Sequence, residues 1–265
     1  MAGDNVSWKE RKVRFAEEDL FVVEVGEGRP LLVLHEELGH PGILRWHREL
    51  GKEYRLVIPM HPGFGRSPQR EWMTNVRDLA CFYGWYVREN LAANAGAIGF
   101  SFGGWVGAEM VANDPKLFPR LILVAPMGIR PAVGEIMDMF KVTARAYLAA
   151  TVLNPQTTPE FKELYGGAPT PEQFEAFEDA RAQTARLAWQ PYAYNPSLPH
   201  LLKAVTDLPT LLIWGRQDNV VPLNAGELYA AAIKQSRLVT LEGCGHRPEI
   251  EKTDEFLREV RSFLS

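Results

Sequence analysis

The feature that most constrains the fold is a repeated alternation of short, uniformly apolar runs with segments of helical periodicity. The apolar runs are residues 20–25, 30–35, 55–59, 95–98, 121–124, 210–214 and 238–241. Helical spacing occurs at residues 74–90, 103–113 and 252–264. Strands that are apolar on both faces are typical of a parallel sheet covered by helices on each side. The pattern therefore predicts an α/β fold.

The alternation is interrupted between residues 131 and 204, which contain no strand-like run. Thr170, Pro171 and Gln173 form a helix-start pattern within this stretch, and apolar residues follow it at helical spacing. We expect residues 131–204 to form a helical cap, inserted between a first core segment, 1–130, and a second, 205–265. The alternative is that these helices belong to the core.

Composition and charge limit the partners that the chain can have. The 265 residues are 46% hydrophobic and carry a net charge of −4 without a basic cluster, which disfavours nucleic acid and anionic membranes as partners. Neither a secretory h-region nor a membrane-spanning apolar run of about eighteen residues is evident. The two cysteines, Cys81 and Cys244, are expected to be free thiols. We therefore expect a cytoplasmic monomer or homodimer that acts on a small molecule.

The sequence GFSFGG, residues 99–104, lies between an expected strand and an expected helix. A Gly-x-Ser-x-Gly segment in this position is typical of a nucleophile elbow, a turn so sharp that its serine adopts a strained conformation. Gly99 and Gly103 are then required because larger side chains would collide. Ser101 is the candidate nucleophile, and the alternative is a serine that caps a helix.

A serine hydroxyl needs a base, and the base needs an acid that orients it. His246 lies in a glycine-flanked loop after the run 238–241, and it is the candidate base. Asp218 follows the run 210–214 and is the candidate acid, whereas Asp207 precedes that run and would lie at the opposite edge of the sheet. The order Ser, Asp, His is the one found in this arrangement. We expect activity to fall below about pH 6, as a histidine with an ordinary pKa of about 6.5 becomes protonated.

Two backbone N–H groups are needed to stabilise an oxyanion. Phe102, directly after the serine, is expected to supply one, and Glu36, in the loop after the run 30–35, the other. A carboxylate facing the oxyanion would oppose catalysis unless it were neutral or paired. We therefore expect Glu36 to pair with a nearby cationic or polar group, for which Arg66 is a candidate.

These motifs closely resemble the α/β-hydrolase superfamily along nearly the whole chain. The resemblance is carried by His35-Glu36, by Pro62 to Ser67, by Gly99 to Gly104, by Trp214 to Asp218 and by Gly243 to His246. It implies a mostly parallel, eight-stranded sheet flanked by helices, with a helical cap inserted after the sixth strand. The sequence departs from the usual pattern at Met60, where an aspartate is common, and at Glu36, where a glycine is common.

The resemblance also implies the class of reaction. A serine nucleophile favours an acyl-enzyme formed from a carboxylic ester, a lactone or a thioester, and an esterase acting on an apolar small molecule is the first interpretation. Hydrolysis of a carbon–carbon bond in ring-cleavage products is the alternative, although Arg247 stands where those enzymes generally have tryptophan. A cofactor-free dioxygenase and a non-catalytic ligand receptor are further alternatives. We expect no cofactor and no metal.

Aromatic and sulfur-containing side chains are the candidates for the substrate pocket. Those of the core are His35, Phe100 and Trp105. Those of the expected cap are Met137, Met139, Phe140, Tyr147, Trp189, Tyr192 and Tyr194.

Overall fold

The computed structural model describes residues 6–265, and a single sheet of eight strands forms its centre. The strands are β1 Trp8–Phe15, β2 Glu18–Val25, β3 Arg29–Leu34, β4 Tyr54–Pro59, β5 Gly96–Phe100, β6 Leu121–Val124, β7 Thr210–Gly215 and β8 Ser236–Leu241. The strands are paired in the order β1-β2-β4-β3-β5-β6-β7-β8. The pairs β1–β2 and β2–β4 are antiparallel, and all the others are parallel. The prediction of an eight-stranded, mostly parallel sheet is confirmed.

The first strand, β1, is missing from the apolar runs identified in the sequence. Most of its side chains are exposed, including Trp8 at 57%. Lys9 and Arg11 instead form ion pairs with Glu24 of the adjacent strand, at 3.4 and 3.5 Å. An edge strand of this kind buries little apolar surface, and its charges oppose pairing with another chain. Hydrophobic periodicity therefore cannot reveal it.

The central strands are buried on both faces, as the apolar runs predict. In β3, Leu32 and Leu34 belong to one apolar cluster. Leu31 and Val33 belong to the other, on the opposite side of the sheet. Because successive side chains of a strand point to opposite faces, the two clusters form separate layers of core above and below the sheet.

Ten α-helices accompany the sheet within the part of the chain that the structure describes. They are α1 Arg45–Leu50, α2 Val76–Asn90, α3 Ser101–Asn113, α4 Ala144–Ala150, α5 Pro159–Tyr165, α6 Pro171–Ala188, α7 Leu198–Leu201, α8 Leu223–Ala232, α9 Pro248–Glu251 and α10 Thr253–Leu264. None of these described helices is long and apolar enough to cross a membrane.

Residues 131–204, all of which the structure describes, contain α4 to α7 and a short 3₁₀ helix but no strand. Helix α6 begins where the sequence predicts, with the Thr170 hydroxyl accepting from the Gln173 amide and the Gln173 side chain accepting from the Thr170 amide. The segment is hydrogen-bonded to the loop after β3, because the Tyr147 and Thr184 hydroxyls both donate to Glu37. It therefore lies at the carboxyl end of the sheet.

Candidate active site

The turn between β5 and α3 holds Ser101 in a left-handed conformation, with φ of 48°. A β-carbon added at Gly99 would lie 2.4 Å from the carbonyl oxygen of Gly103. One added at Gly103 would lie 2.3 Å from the carbonyl oxygen of Leu34. Neither approach is sterically possible, so both positions require glycine. The turn has the strained geometry of a nucleophile elbow, and Ser101 is the first residue of α3.

The loop after β7 fixes Asp218. One carboxylate oxygen, Oδ1, accepts hydrogen bonds from the amides of Val220 and Val221 at 2.8 and 2.9 Å. These two bonds close a turn of the type that aspartate favours. The second oxygen, Oδ2, remains free to bind His246, and the side chain is fully buried.

The loop after β8 presents His246. Its amide donates to the carbonyl of Thr151 at 2.9 Å, and the preceding amide, of Gly245, donates to Glu251 at 2.9 Å. This loop passes directly over the end of β7, since a β-carbon added at Gly215 would lie 1.9 Å from the carbonyl oxygen of Gly245. The loops that carry the acid and the base are therefore in contact.

The structure brings the three predicted side chains together. His246 Nε2 lies 2.9 Å from Ser101 Oγ, and His246 Nδ1 lies 2.8 Å from Asp218 Oδ2. An Nδ1–H that donates to the carboxylate leaves Nε2 as an acceptor for the serine proton. This arrangement can activate a serine hydroxyl for nucleophilic attack.

The surroundings of His246 raise its pKa. Burial favours the neutral ring, but the charge of Asp218 and its hydrogen bond outweigh burial, and the carboxylates of Glu37 and Glu249 add to their effect. The result is a pKa of about 8. The sequence-based expectation of an ordinary value is therefore wrong, because it omitted these neighbouring carboxylates.

A narrow cavity of about 20 Å³ opens beside Ser101, which is room for one or two water molecules. Its lining residues are Glu36, Glu37, Leu38, Phe100, Ser101, Val124, Leu148, Thr151, His246, Arg247 and Glu249. The amides of Glu36 and Glu37 donate to no other residue that the structure describes, and both residues line the cavity. The Glu36 amide bonds to its own carboxylate. The Phe102 amide lies in the first turn of α3, where backbone N–H groups have no partner within the helix.

Glu36 is paired, but with a different cation from the one predicted. Its carboxylate lies 2.9 Å from Arg247 Nη2, whereas Arg66 pairs with Glu10. Arg247 also contacts Glu249, at 2.9 Å. Burial raises the pKa of Glu36 to about 7, and Arg247 acts in the opposite direction. The predicted pairing of Glu36 with Arg66 is wrong. Arg247 comes directly after His246 in the chain, and folding places it beside Glu36.

Only Phe100 of the predicted pocket residues lines the cavity with Ser101. The Trp105 indole donates to Glu109 at 3.2 Å, away from this cavity, and the His35 ring accepts from the amide of His61. His35 instead lines a smaller neighbouring cavity.

The pocket residues predicted in the segment 131–204 contact one another or the core instead of the cavity beside Ser101. Phe140, Trp189 and Tyr192 are in mutual ring contact. The Tyr192 hydroxyl accepts from the Met139 amide and donates to the Met137 carbonyl. Tyr147 donates to Glu37, and Tyr194 lies against Arg130. The aromatic residues of this segment therefore do not line the cavity beside Ser101, although Tyr194 lines two other cavities of the described structure.

Sequence reasoning missed Glu37 as a cavity residue. Its Oε1 accepts from the Tyr147 hydroxyl at 2.6 Å, and its side chain is buried. The signal in the sequence is a pair of adjacent carboxylates, Glu36 and Glu37, at the carboxyl end of a buried strand, where a charged side chain is unusual.

The fold, the elbow and the three converging side chains define a protein of the α/β-hydrolase class. The sequence profile of the α/β hydrolase fold family matches residues 30–253, and the chain belongs to this family. It is 27% identical over 257 residues to 2-hydroxymuconate semialdehyde hydrolase of Pseudomonas sp. strain CF600, with 91% of this chain and 88% of the relative covered. It is 26% identical over 263 residues to pimeloyl-[acyl-carrier protein] methyl ester esterase of Yersinia pestis, with 92% and 96% covered.

Solved structures agree with the fold. A meta-cleavage product hydrolase of Pseudomonas fluorescens IP01 superimposes with a TM-score of 0.78 at 23% identity, covering 97% of each chain. An esterase of Rhodococcus sp. ECU1013 gives a TM-score of 0.75 at 21% identity, covering 97% of this chain and 98% of that chain. The same fold thus occurs both in a protein described as an esterase and in one described as a meta-cleavage product hydrolase.

Proposed function

We propose that this protein is a serine hydrolase that cleaves a carboxylic ester of a small molecule through an acyl-enzyme. The observation that carries the proposal is the continuous hydrogen-bonded path from Ser101 through His246 to Asp218, with links of 2.9 and 2.8 Å. A lactone or a thioester would react by the same steps.

In the first half-reaction, Ser101 Oγ attacks the carbonyl carbon of the ester while His246 Nε2 accepts the hydroxyl proton. The carbonyl oxygen becomes an oxyanion, held by the backbone N–H of Phe102 and that of Glu36. The oxyanion would lie at the amino terminus of α3, where the helix dipole also stabilises its negative charge. The carbon–oxygen bond of the ester then breaks, and the imidazolium gives its proton to the departing alcohol.

In the second half-reaction, water attacks the acyl carbon and His246 takes the proton from this water. The second tetrahedral intermediate collapses, the carboxylic acid leaves, and the proton returns to Ser101. Throughout both halves Asp218 keeps the ring in the tautomer whose Nε2 is a base, and it stabilises the imidazolium that forms.

The small cavity implies that substrate binding requires movement of the chain above it. Residues 131–204 act in this proposal as a cap on a core formed by residues 1–130 and 205–265. The supporting contacts are those of Tyr147, Thr151 and Thr184, which join this segment to Glu37 and to the backbone of His246. Movement of the rest of this segment about these contacts would admit a substrate larger than about two water molecules.

The charges on the cavity wall favour an ester over a ring-cleavage product. Three of the residues that line the cavity are glutamates, Glu36, Glu37 and Glu249. The guanidinium of Arg247, which also lines the cavity, is already paired with Glu36 and Glu249. A dienoate substrate carries its own carboxylate, which would meet like charges here without a free cation to balance it. Carbon–carbon hydrolysis remains the second candidate because of the 27% identity to 2-hydroxymuconate semialdehyde hydrolase.

Two measurements test the proposal. An active-serine fluorophosphonate should label the wild-type protein at Ser101 and leave the folded Ser101→Ala variant unlabelled. A panel of p-nitrophenyl esters, a lactone and a dienoate should then show turnover of esters, which Ser101→Ala abolishes.

Each contrary result has a distinct meaning. Turnover of the dienoate alone would select carbon–carbon hydrolysis. A folded wild-type protein without any labelling would contradict an activated serine and would favour a cofactor-free dioxygenase or a ligand receptor on this fold.

A further inference from the structure

Glu37 differs from the other two carboxylates that line the cavity beside Ser101. Glu36 and Glu249 share Arg247, but Glu37 has no ion-pair partner among the residues that the structure describes. Only 2% of the residue is exposed. A buried carboxylate that is not neutralised by a cation is rare, because removing its charge from water is unfavourable.

The two oxygens of this carboxylate are in different situations. Oε1 accepts a short hydrogen bond of 2.6 Å from the Tyr147 hydroxyl. Oε2 is buried and accepts no hydrogen bond from any described residue. The backbone carbonyl of Glu37 is held separately by the Thr184 hydroxyl at 2.8 Å. The carboxylate is thus fixed in place by one oxygen and offers the other.

We infer that Glu37 is a specificity-determining residue, which binds a hydrogen-bond donor on the acyl part of the substrate through Oε2. The inference rests on the proposed ester hydrolysis and narrows it to esters that carry an ammonium or a hydroxyl group near the scissile carbonyl. Glu37 lines the same cavity as Ser101 and His246. Its Oε2 is covered in the closed structure and meets a ligand when the cap moves, so a group bound there lies within the same small ligand.

The chemistry of the cavity wall disfavours a substrate that carries a carboxylate next to Glu37. A carboxylate accepts hydrogen bonds and cannot donate them when ionised. A substrate carboxylate at the same place would set hydrogen-bond acceptors against each other with no unpaired cation nearby, which disfavours binding. An ammonium or a hydroxyl group supplies the missing donor, and a charged donor forms the stronger bond.

The test is an isosteric series of methyl esters. Methyl butanoate, methyl 3-hydroxypropanoate and methyl 3-aminopropanoate differ only in whether the terminal group is CH₃, OH or NH₃⁺, and monomethyl succinate supplies an anionic member. We expect wild-type kcat/KM to be at least about tenfold higher for the hydroxy or the amino ester than for methyl butanoate, and lowest for monomethyl succinate. The hydroxy and amino members show which donor is preferred.

The deciding variant is Glu37→Gln. Glutamine can still accept from Tyr147 through its amide oxygen, but it places an NH₂ donor where Oε2 stands, so two donors would face each other. The ratio of kcat/KM for the preferred donor ester to that for methyl butanoate should fall at least about tenfold. Glu37→Asp, which keeps the charge, should retain part of the preference. The matched control is Glu175→Gln, an exposed carboxylate of α6, whose ratio should match that of the wild type.

Thermal unfolding establishes that each variant is folded. Calorimetry then measures the binding preference without turnover. The same esters are titrated into the Ser101→Ala variant and into the double variant Ser101→Ala, Glu37→Gln. The inference is overturned if the wild-type ratio is near one, or if Glu37→Gln keeps the wild-type preference in catalysis and in binding. Absence of ester turnover together with a Glu37-dependent binding preference would contradict the proposed reaction and support the role of Glu37.

Discussion

Arg247 Nη2 lies 2.9 Å from Glu36 Oε1, so that an ion pair joins the loop after β8 to the loop after β3 beside the nucleophile. The nitrogen is within ion-pairing distance but is not aligned for a hydrogen bond. Arg247 Nε makes the aligned bond instead, to Glu249 at 2.9 Å. The guanidinium therefore pairs with the partly buried carboxylate of Glu36 and the buried carboxylate of Glu249 at once, and its charged form is strongly favoured by them.

Removing this guanidinium should destabilise the protein. Arg247→Met leaves Glu36 and Glu249 buried without a cation, and loss of one partner of a buried pair lowers the free energy of unfolding by about 3–5 kcal/mol. Urea denaturation measures the change. Arg216→Met is the matched control, because Arg216 pairs with Glu242 at the surface and should lose less than about 1 kcal/mol. Equal losses in the two variants would contradict the structural role of Arg247.

The pH dependence of activity should reflect the raised pKa of His246. The base must be neutral to accept the serine proton, so kcat/KM is lost as the pH falls through about 8. We expect half-maximal kcat/KM near pH 8 and a fall of about tenfold per pH unit below it. An inflection near 6.5, the ordinary value of histidine, would contradict the influence of the surrounding carboxylates.

Glu36 requires a control in this experiment because its pKa of about 7 lies in the same range. The pH profile of Glu36→Gln should keep its inflection near 8, since this substitution leaves Asp218, the strongest favourable influence on His246, in place. An inflection that disappears in Glu36→Gln would assign the titration to Glu36 instead.

Asp218→Asn should lower kcat by about four orders of magnitude, because an amide in place of the carboxylate favours the wrong tautomer of His246. The amides of Val220 and Val221 can still donate to the asparagine oxygen, so the loop should remain folded. Asp207→Asn is the control, since Asp207 is exposed and precedes β7. Steady-state kinetics with a p-nitrophenyl ester distinguishes the two, and similar rates would exclude Asp218 as the acid.

Two glycines of α3 should respond in opposite ways to alanine. Gly103→Ala places a β-carbon 2.3 Å from the Leu34 carbonyl oxygen, and the resulting displacement of the elbow should lower both activity and the free energy of unfolding, the latter by about 1–3 kcal/mol. In Gly107→Ala the nearest atom, on Leu123, is 3.5 Å away. This distance is an ordinary van der Waals contact, and alanine has a better helix propensity than glycine. Gly107→Ala should therefore be as stable as the wild type, or more stable by up to about 1 kcal/mol. A stable, active Gly103→Ala protein would show that the elbow tolerates a wider turn.

Local sequence patterns were enough to predict the α/β class, the buried strands and the residues of the candidate triad. These are properties of short segments, since a strand buried on both faces must be apolar throughout and a sharp turn must have glycine on either side of its serine. The positions of Asp218 and His246 followed from a rule of the same local kind, that loops at the carboxyl ends of parallel strands meet at one edge of the sheet. The exposed edge strand β1 escaped this reasoning because it does not need an apolar pattern.

The side chains that surround the candidate nucleophile became known only from the folded chain. The sequence offered Arg66 as the partner of Glu36 and aromatic residues as the pocket, whereas packing brought Arg247 to Glu36 and Tyr147 to Glu37, 110 positions away along the chain. The same packing set the pKa of His246 at about 8 by placing carboxylates around a buried ring. Turn and strand preferences act between neighbours in the chain, but ion pairs, burial and pKa values depend on distances between segments that only the folded chain brings together.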